Sequence, residues 1–155
     1  MGDVLRPAGR RMPDIGRLQA EDEARWTELW HGYRKFYKSP QSDALYAATW
    51  QRIMAGPPLH AFAARIDGRL VGITHYLFHA STWMDDVCYL QDLFTDESVR
   101  GRGVGRALIE AVAGEARARG APRLYWLTQE SNATARLLYD RLAAFNGFIR
   151  YDYPV

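Results

Sequence analysis

The sequence of 155 residues has a single cysteine, Cys88, so no disulfide can form within the chain and a reducing compartment is expected. Its charges nearly cancel, with 20 Lys and Arg against 18 Asp and Glu, and no long basic run predicts nucleic-acid binding. No stretch approaches the roughly 20 consecutive apolar residues of a membrane helix. Residues 1–14 lack the apolar core of a signal peptide. We therefore expect a cytoplasmic protein that binds neither nucleic acid nor membrane.

The length and the composition predict one globular domain with a sizeable hydrophobic core. Residues 1–13 are rich in Arg, Pro and Gly, which is typical of a flexible N-terminal arm. No internal repeat or low-complexity segment divides the remainder of the chain. Residues 14–155 are therefore predicted to form a single domain.

Hydrophobic spacing and turn residues predict the order of helices and strands. Apolar residues at three- and four-residue steps indicate an amphipathic helix over 20–37, and Asp67-Gly68 between two apolar runs indicates a β-hairpin. The other predicted elements are a short strand near 14–18, helices over 43–55, 104–119 and 131–145, and strands over 87–95, 123–128 and 147–153. This order predicts an α/β (α+β) fold with a mixed, mostly antiparallel sheet flanked by helices.

Three glycines and three arginines alternate between a predicted strand and a predicted helix, over residues 100–106. They fit neither the P-loop nor the dinucleotide-binding fingerprint. Glycines allow close backbone approach and present N–H groups, a helix N-terminus favours negative charge, and the arginines add full positive charges. The pattern favours a pyrophosphate site, and a plain strand-to-helix turn with solvated arginines is the alternative.

The stretch Arg100-Gly101-Arg102-Gly103-Val104-Gly105 matches the [RQ]-x-x-G-x-[GA] motif of the GNAT acetyltransferase superfamily. Residues 89–109 and 127–142 resemble the strand, loop and helix of that motif and the strand and helix that follow it. The resemblance covers roughly residues 59–153 and is nearest to the polyamine and histone-type branch. It implies the GNAT acyl-CoA N-acyltransferase fold, acetyl-CoA as co-substrate, and transfer of the acetyl group to a primary amine within a ternary complex.

The resemblance also implies which residues bind the co-substrate. Backbone groups of Leu93, Phe94 and Thr95 would pair with the pantetheine arm like a short extra strand. Asn132 would contact the co-substrate at the start of the following helix, or serve only as a helix cap. The pyrophosphate would lie on the amide groups and cations of the glycine loop, which are Arg100, Gly101, Arg102, Gly103, Val104, Gly105 and Arg106.

Two catalytic residues are implied, Tyr139 and Asp92. Tyr139 occupies the position of the family's tyrosine that protonates the departing thiolate, and an ordinary buried tyrosine is the alternative. The related polyamine enzymes carry Glu-Asp where this chain has Gln91-Asp92, and an amide cannot accept a proton. Asp92 could act through water, the amine could arrive deprotonated, or Asp92 could be a structural carboxylate; the sequence leaves these readings equal.

The expected partners are a small amine or a basic peptide. The acidic residues Asp85, Asp86 and Asp92 are predicted near the acceptor, with aromatic walls from Tyr33, Phe36, Tyr37 and Trp83. No metal is expected, because His75 and His79 lie four residues apart on a predicted strand. A non-catalytic acyl-CoA-binding module is the alternative function.

A homodimer is predicted from the residues after the tyrosine helix. GNAT domains usually place two strands there, and residues 145–155 can supply one. Phe148, Tyr151 and Tyr153 are too aromatic to leave in water, and an unfinished sheet has an open edge. We expect these segments of two copies to meet.

Overall fold

A computed structural model describes residues 11–38 and 41–155. Its five strands are β1 (Asp14–Gly16), β2 (Leu59–Ile66), β3 (Arg69–His79), β4 (Val87–Thr95) and β5 (Leu124–Tyr125). They form one sheet in chain order, antiparallel from β1 to β4 and parallel between β4 and β5. The helices are α1 (Glu23–Phe36), α2 (Asp43–Ala55), α3 (Val104–Ala118) and α4 (Ala133–Leu142). The predicted mixed, mostly antiparallel sheet flanked by helices is confirmed.

The hairpin between β2 and β3 turns at Asp67 and Gly68, as predicted. Both residues have positive φ, 51° at Asp67 and 77° at Gly68, which is the backbone of a tight hairpin turn. Between the turn and the pair of Ala63 with Ile73, Val71 is an extra residue of β3 and forms a β-bulge. Side chains of successive strand residues point to opposite faces, so the turn and this bulge together decide which residues of β3 face each layer.

The two faces of the sheet carry separate parts of the core. On one face, α1 and α2 pack Trp26, Leu29, Trp30 and Trp50 against Ile73. On the other face, α3 packs its apolar stripe, which consists of Val104, Leu108, Ile109 and Val112, against the alternate residues of the strands. The helix α4 has no fully buried residue and rests on this second layer through Leu138, Tyr139 and Leu142.

The region after β4 differs from the sequence prediction. The predicted strand over 123–128 is shortened to Leu124–Tyr125, and the predicted strand over 147–153 is wrong, because residues 143–155 form neither helix nor strand. The reason is the lack of a partner: Phe148 is 75% exposed and Tyr151 is 87% exposed. Alternating apolar residues become a strand only where another strand accepts their hydrogen bonds.

The predicted arm over 1–13 lies largely outside the described residues, which begin at Arg11. Arg11 Nη1 forms an ion pair with Asp67 Oδ1 at 2.5 Å, and Pro13 is buried. Within the described ranges, none of the helices combines the length and the apolar character needed to span a membrane.

Candidate active site

The strands β4 and β5, the last two in the sheet, separate from each other after two residue pairs. His75 pairs with Asp92 and Tyr76 pairs with Leu90, so Gln91 is an extra residue in β4 and forms a β-bulge. The parallel ladder to β5 contains only two pairs, at Cys88 and at Tyr89. Among the described residues, no strand pairs with that edge of β4 beyond them. The result is a wedge-shaped opening between the two strands.

A small cavity of about 20 Å³ lies at this opening. Its walls come from α1, β4, α3, the segment after β5, and α4. They consist of Tyr33, Tyr37, Leu90, Gln91, Leu93, Ile109, Trp126, Leu127 and Tyr139. Of the predicted site residues, Leu93 and Tyr139 are thus brought to one cavity.

Tyr139 presents a half-buried phenol to the cavity. Its ring packs edge-to-face against Trp126, with ring centroids 5.3 Å apart. Burial raises the pKa of Tyr139 to about 12, because the phenolate would lose most of its hydration there. The hydroxyl therefore keeps its proton throughout the neutral and mildly alkaline range, as a proton donor requires.

The glycine loop directly precedes α3. Gly101 and Gly103 have φ of 77° and 81°, a left-handed backbone that favours glycine, and Gly103 caps the helix. A Cβ on either residue would meet no protein atom within 4 Å, so the loop is open on its outer side. The first amides of α3 have no acceptor inside the helix and point into this open space. These features fit an anionic group such as a pyrophosphate.

Asp96 fixes the start of this loop. It accepts hydrogen bonds from Ser98 N at 2.9 Å and Ser98 Oγ at 2.7 Å, and its other oxygen forms an ion pair with Arg25. The Ser98 hydrogen bonds and the Arg25 guanidinium lower the pKa of Asp96 to about 2. Arg25 Nε also donates to Leu70 O at 3.1 Å. The loop is thus tied to α1 and β3.

Asp92 lies beside the cavity and contacts a side chain of β3. His75 Nδ1 lies 3.0 Å from Asp92 Oδ2. Burial, and next the nearby negative charge of Asp92, raise the pKa of the Tyr33 phenol. The Asp92 side chain is 14% exposed. The carboxylate caps no backbone N–H among the described residues, so side chains account for its known partners.

His75 is the residue that sequence reasoning missed. The sequence gives His75 no role, because its spacing from His79 on a strand does not suit a metal pair. The structure places His75 opposite Asp92 in the antiparallel ladder. Its other ring nitrogen faces Trp26. The signal in the sequence was the antiparallel pairing of β3 with β4, which brings a histidine of β3 next to the one carboxylate of β4.

Of the remaining predicted residues, Tyr33 and Tyr37 line the cavity, and those described next do not. Asn132 caps α4, with Oδ1 accepting from Ala135 N at 3.5 Å, and Nδ2 donates to Thr128 Oγ1 at 3.3 Å. Phe94 packs edge-to-face on Tyr33. Phe36 is 57% exposed and Trp83 is 77% exposed, and neither lines the cavity. Asp85 and Asp86 are also exposed and do not line the cavity, and the acidic cluster near the acceptor stays a prediction.

Comparison with known proteins identifies the family. The model of the Acetyltransferase (GNAT) family matches residues 26–145. The chain belongs to the GNAT acetyltransferase family. The relatives of this GNAT chain include the D-amino-acid N-acetyltransferase of Saccharomyces cerevisiae, 34% identical over 134 residues and 83% of each chain. A thialysine N-epsilon-acetyltransferase of Caenorhabditis elegans is 28% identical over 116 residues, which are 75% of this chain and 72% of that one.

Solved structures confirm the GNAT fold. The ribosomal-protein-alanine N-acetyltransferase of Brucella melitensis superposes with a TM-score of 0.79 at 23% identity, covering 94% of this chain and all of that one (100%). An aminoglycoside N-acetyltransferase in complex with CoA has a TM-score of 0.75 at 22% identity, covering 97% and 96%. The GNAT family and its relatives also confirm the predicted enzyme class, an acetyl-CoA-dependent N-acetyltransferase.

Proposed function

We propose that the protein transfers the acetyl group of acetyl-CoA to a primary amine in the cavity between β4 and β5. The observation that carries the proposal is the position of Tyr139. Its protonated phenol faces a cavity at the separation of the two strands, and the open glycine loop lies at the end of β4. A proton donor, a free strand edge and an anion-binding loop thus occur along one path.

The co-substrate would follow this path from the loop to Tyr139. The pyrophosphate would lie on the amides of the loop from Gly101 to Arg106, except that of Arg102, which donates to Val99 O at 3.2 Å. Arg100, Arg102 and Arg106 would add positive charge. The pantetheine arm would pair with the free edge of β4 at Leu93, Phe94 and Thr95. Asn132 would approach it from the start of α4.

Asp92 and Tyr139 would divide the proton transfers between them. An amine must lose a proton when it attacks a thioester, and the departing thiolate must gain one. Asp92 would accept the proton of the amine, and Tyr139 would donate to the sulfur. Backbone N–H groups near Phe94 would stabilise the negative charge that develops on the carbonyl oxygen.

The chemistry of the cavity walls supports an amine acceptor. Tyr33 and Tyr37 contribute aromatic faces, with ring centroids 4.9 Å apart, and Asp92 supplies a carboxylate nearby. Aromatic faces and a carboxylate both attract a cationic amine. The relatives act, by name, on D-amino acids and thialysine. A thiol-release assay with D-amino acids, thialysine, lysine, polyamines and a basic peptide tests this proposal, which is wrong if no amine raises release above hydrolysis.

Gly103→Ala is expected to weaken acetyl-CoA binding by about tenfold or more, because the new Cβ enters the space reserved for the pyrophosphate and displaces charge-assisted hydrogen bonds. Gly120→Ala is the matched control. Gly120 follows the other end of α3, has φ of 70° and likewise meets no atom within 4 Å. Both variants should lose roughly 1–2 kcal/mol of unfolding free energy from left-handed strain. Calorimetry that finds equal affinities for the two variants contradicts the pyrophosphate site.

The proposal includes a homodimer in a cytoplasmic setting. Residues 145–153 expose Phe145, Phe148, Ile149, Tyr151 and Tyr153, each at least 72% accessible. Within the described part of the chain, β5 pairs only with β4, so its outer edge is open. Exposed aromatics beside an open sheet edge favour pairing with another copy.

Light scattering at micromolar concentration is expected to report twice the chain mass. The double variant Phe148→Ser/Tyr151→Ser should lower it towards one chain, because it removes apolar area from the predicted interface. Trp83→Ser, which removes an equally exposed aromatic from the loop before β4, should leave the mass unchanged. A monomeric parent chain, or equal masses for the two variants, would contradict the predicted interface.

A further inference from the structure

A line of buried side chains extends from Asp92 into the core beneath α1. Trp26 is 0% exposed and His75 is 2% exposed. Trp26 Nε1 donates to His75 Nε2 at 2.9 Å, and His75 Nδ1 lies 3.0 Å from Asp92 Oδ2. The imidazole is also held by the Trp30 ring, edge-to-face with centroids 4.9 Å apart. His75 is therefore enclosed and has a fixed orientation.

The chemistry of Trp26 determines where the proton of His75 lies. An indole nitrogen is only a donor, so His75 Nε2 must be the acceptor in this contact. A neutral imidazole that accepts at Nε2 carries its proton on Nδ1. That proton faces Asp92, whose carboxylate can only accept. A doubly protonated ring would direct one N–H at another, so the neutral Nδ1–H tautomer satisfies every member of the line.

Tyr33 lines the cavity and Asp92 does not, so the Tyr33 phenol, on which the charge of Asp92 acts, is the nearer of the two groups to an acceptor in the cavity. Burial, and next the negative charge of Asp92, raise the pKa of Tyr33 above that of a free phenol. This phenol does not ionise by itself near neutral pH. It can release its proton to Asp92 only as another proton arrives on its oxygen.

We propose that Tyr33 relays the proton of the acceptor amine to Asp92, and that His75 and Trp26 are positioning residues that hold Asp92 for this transfer. The proposal rests on the proposed acetyltransferase function. As the amine nitrogen bonds to the thioester carbon and the carbon–sulfur bond breaks, the amine proton passes to Tyr33 Oη and the phenolic proton passes to Asp92. The sulfur takes its proton from Tyr139. Asp92 then returns its proton to solvent, and Tyr139 regains one.

Two substitutions at His75 separate positioning from packing. In His75→Asn the amide NH₂ can occupy the place of Nδ1 and still donate to Asp92. In His75→Gln the amide can reach the place of Nε2 and Trp26, but Asp92 loses its donor. Both substitutions remove the imidazole ring and its aromatic contacts. If His75 had only a structural role, the two variants would therefore show similar losses of kcat.

We expect His75→Gln to lower kcat by about tenfold to a hundredfold, as expected when a reacting group is misplaced by roughly 1 Å, with KM for acetyl-CoA unchanged. His75→Asn should retain kcat within about threefold of the parent, since its donor to Asp92 remains. Tyr33→Phe, which keeps the ring and removes the relay hydroxyl, should lower kcat by about a hundredfold. Equal kcat losses in the two His75 variants would overturn the positioning role, and parent kcat in Tyr33→Phe would overturn the relay.

Nitrogen NMR of the unmodified chain tests the same assignment without any substitution. The long-range ¹H–¹⁵N spectrum should show His75 protonated on Nδ1 and bare on Nε2, and a proton on Nε2 would overturn the proposal. The Asp92→Asn variant tests the role of Asp92 as proton acceptor separately from the positioning role of His75. If Asp92→Asn is impaired and the His75 variants behave alike, only the positioning role fails. If Asp92→Asn keeps the parent kcat, the proposed proton acceptor and the relay both fail.

Discussion

Replacing Tyr139 by phenylalanine should lower kcat by about 10²–10⁴-fold while KM for acetyl-CoA changes little, because the ring stays and only the proton donor is lost. The phenol faces the cavity and keeps its proton at neutral pH. Steady-state thiol release with the best acceptor amine measures the effect.

Tyr46→Phe is the matched control for Tyr139→Phe. It also deletes a phenolic hydroxyl from a buried ring, but Tyr46 lies on α2, and its hydroxyl has no hydrogen-bond partner among the described residues. Its removal should leave kcat unchanged and should not lower stability, since no hydrogen bond is lost. Parent-like turnover in Tyr139→Phe would show that Tyr139 is only a packing residue.

Asp92→Asn should lower kcat by about 10²–10⁴-fold at neutral pH, because an amide has nearly the shape of the carboxylate but accepts no proton. The loss should shrink as the pH approaches the pKa of the amine, roughly 10.4 for an alkyl ammonium. There the substrate arrives already deprotonated and needs the acceptor less. Turnover across pH 7 to 10 checks both parts.

Asp86→Asn provides the matched charge control for Asp92→Asn. Asp86 is exposed in the loop directly before β4, so its substitution removes the same charge without altering the cavity. Its kcat should equal that of the parent. If Asp92→Asn and Asp86→Asn have the same kcat, the proton acceptor lies elsewhere.

The spacing of apolar residues and the turn residues within short stretches of the sequence were enough to predict much of the fold. The apolar stripe of α3, with Leu108, Ile109 and Val112 buried, follows directly from helical spacing. Asp67-Gly68 located the hairpin because few dipeptides accept two positive φ angles. The glycine loop was equally visible, since its left-handed residues had to be glycines. These features depend on the backbone of a few neighbouring residues.

The contacts of Asp92 could not be predicted in the same way. They depend on the register of β3 against β4 and on the bulge at Gln91, and a shift of one residue would turn His75 to the other face. Trp26 reaches the same place from a helix 49 residues earlier. The predicted strand over 147–153 failed for a related reason, because its alternation says nothing about whether a partner strand is present.

Only two residue pairs join β4 to β5 in the described part of the chain, and this short connection affects the free energy of ligand binding. Residues 124–142 are held by two strand pairs, by the contacts of Tyr125 with His79 and Tyr89, and by the packing of Trp126 and the half-buried face of α4. With only two strand pairs, this segment should open at a lower free energy than the hairpin core. An acyl-pantetheine arm that supplies the missing hydrogen bonds along β4 would close it. A ligand present at 100 times its Kd stabilises the folded protein by about 2.7 kcal/mol relative to the unfolded chain. We therefore expect part of the binding free energy of acetyl-CoA to go into ordering α4, which carries Tyr139, and amide exchange in that helix should slow when the ligand binds.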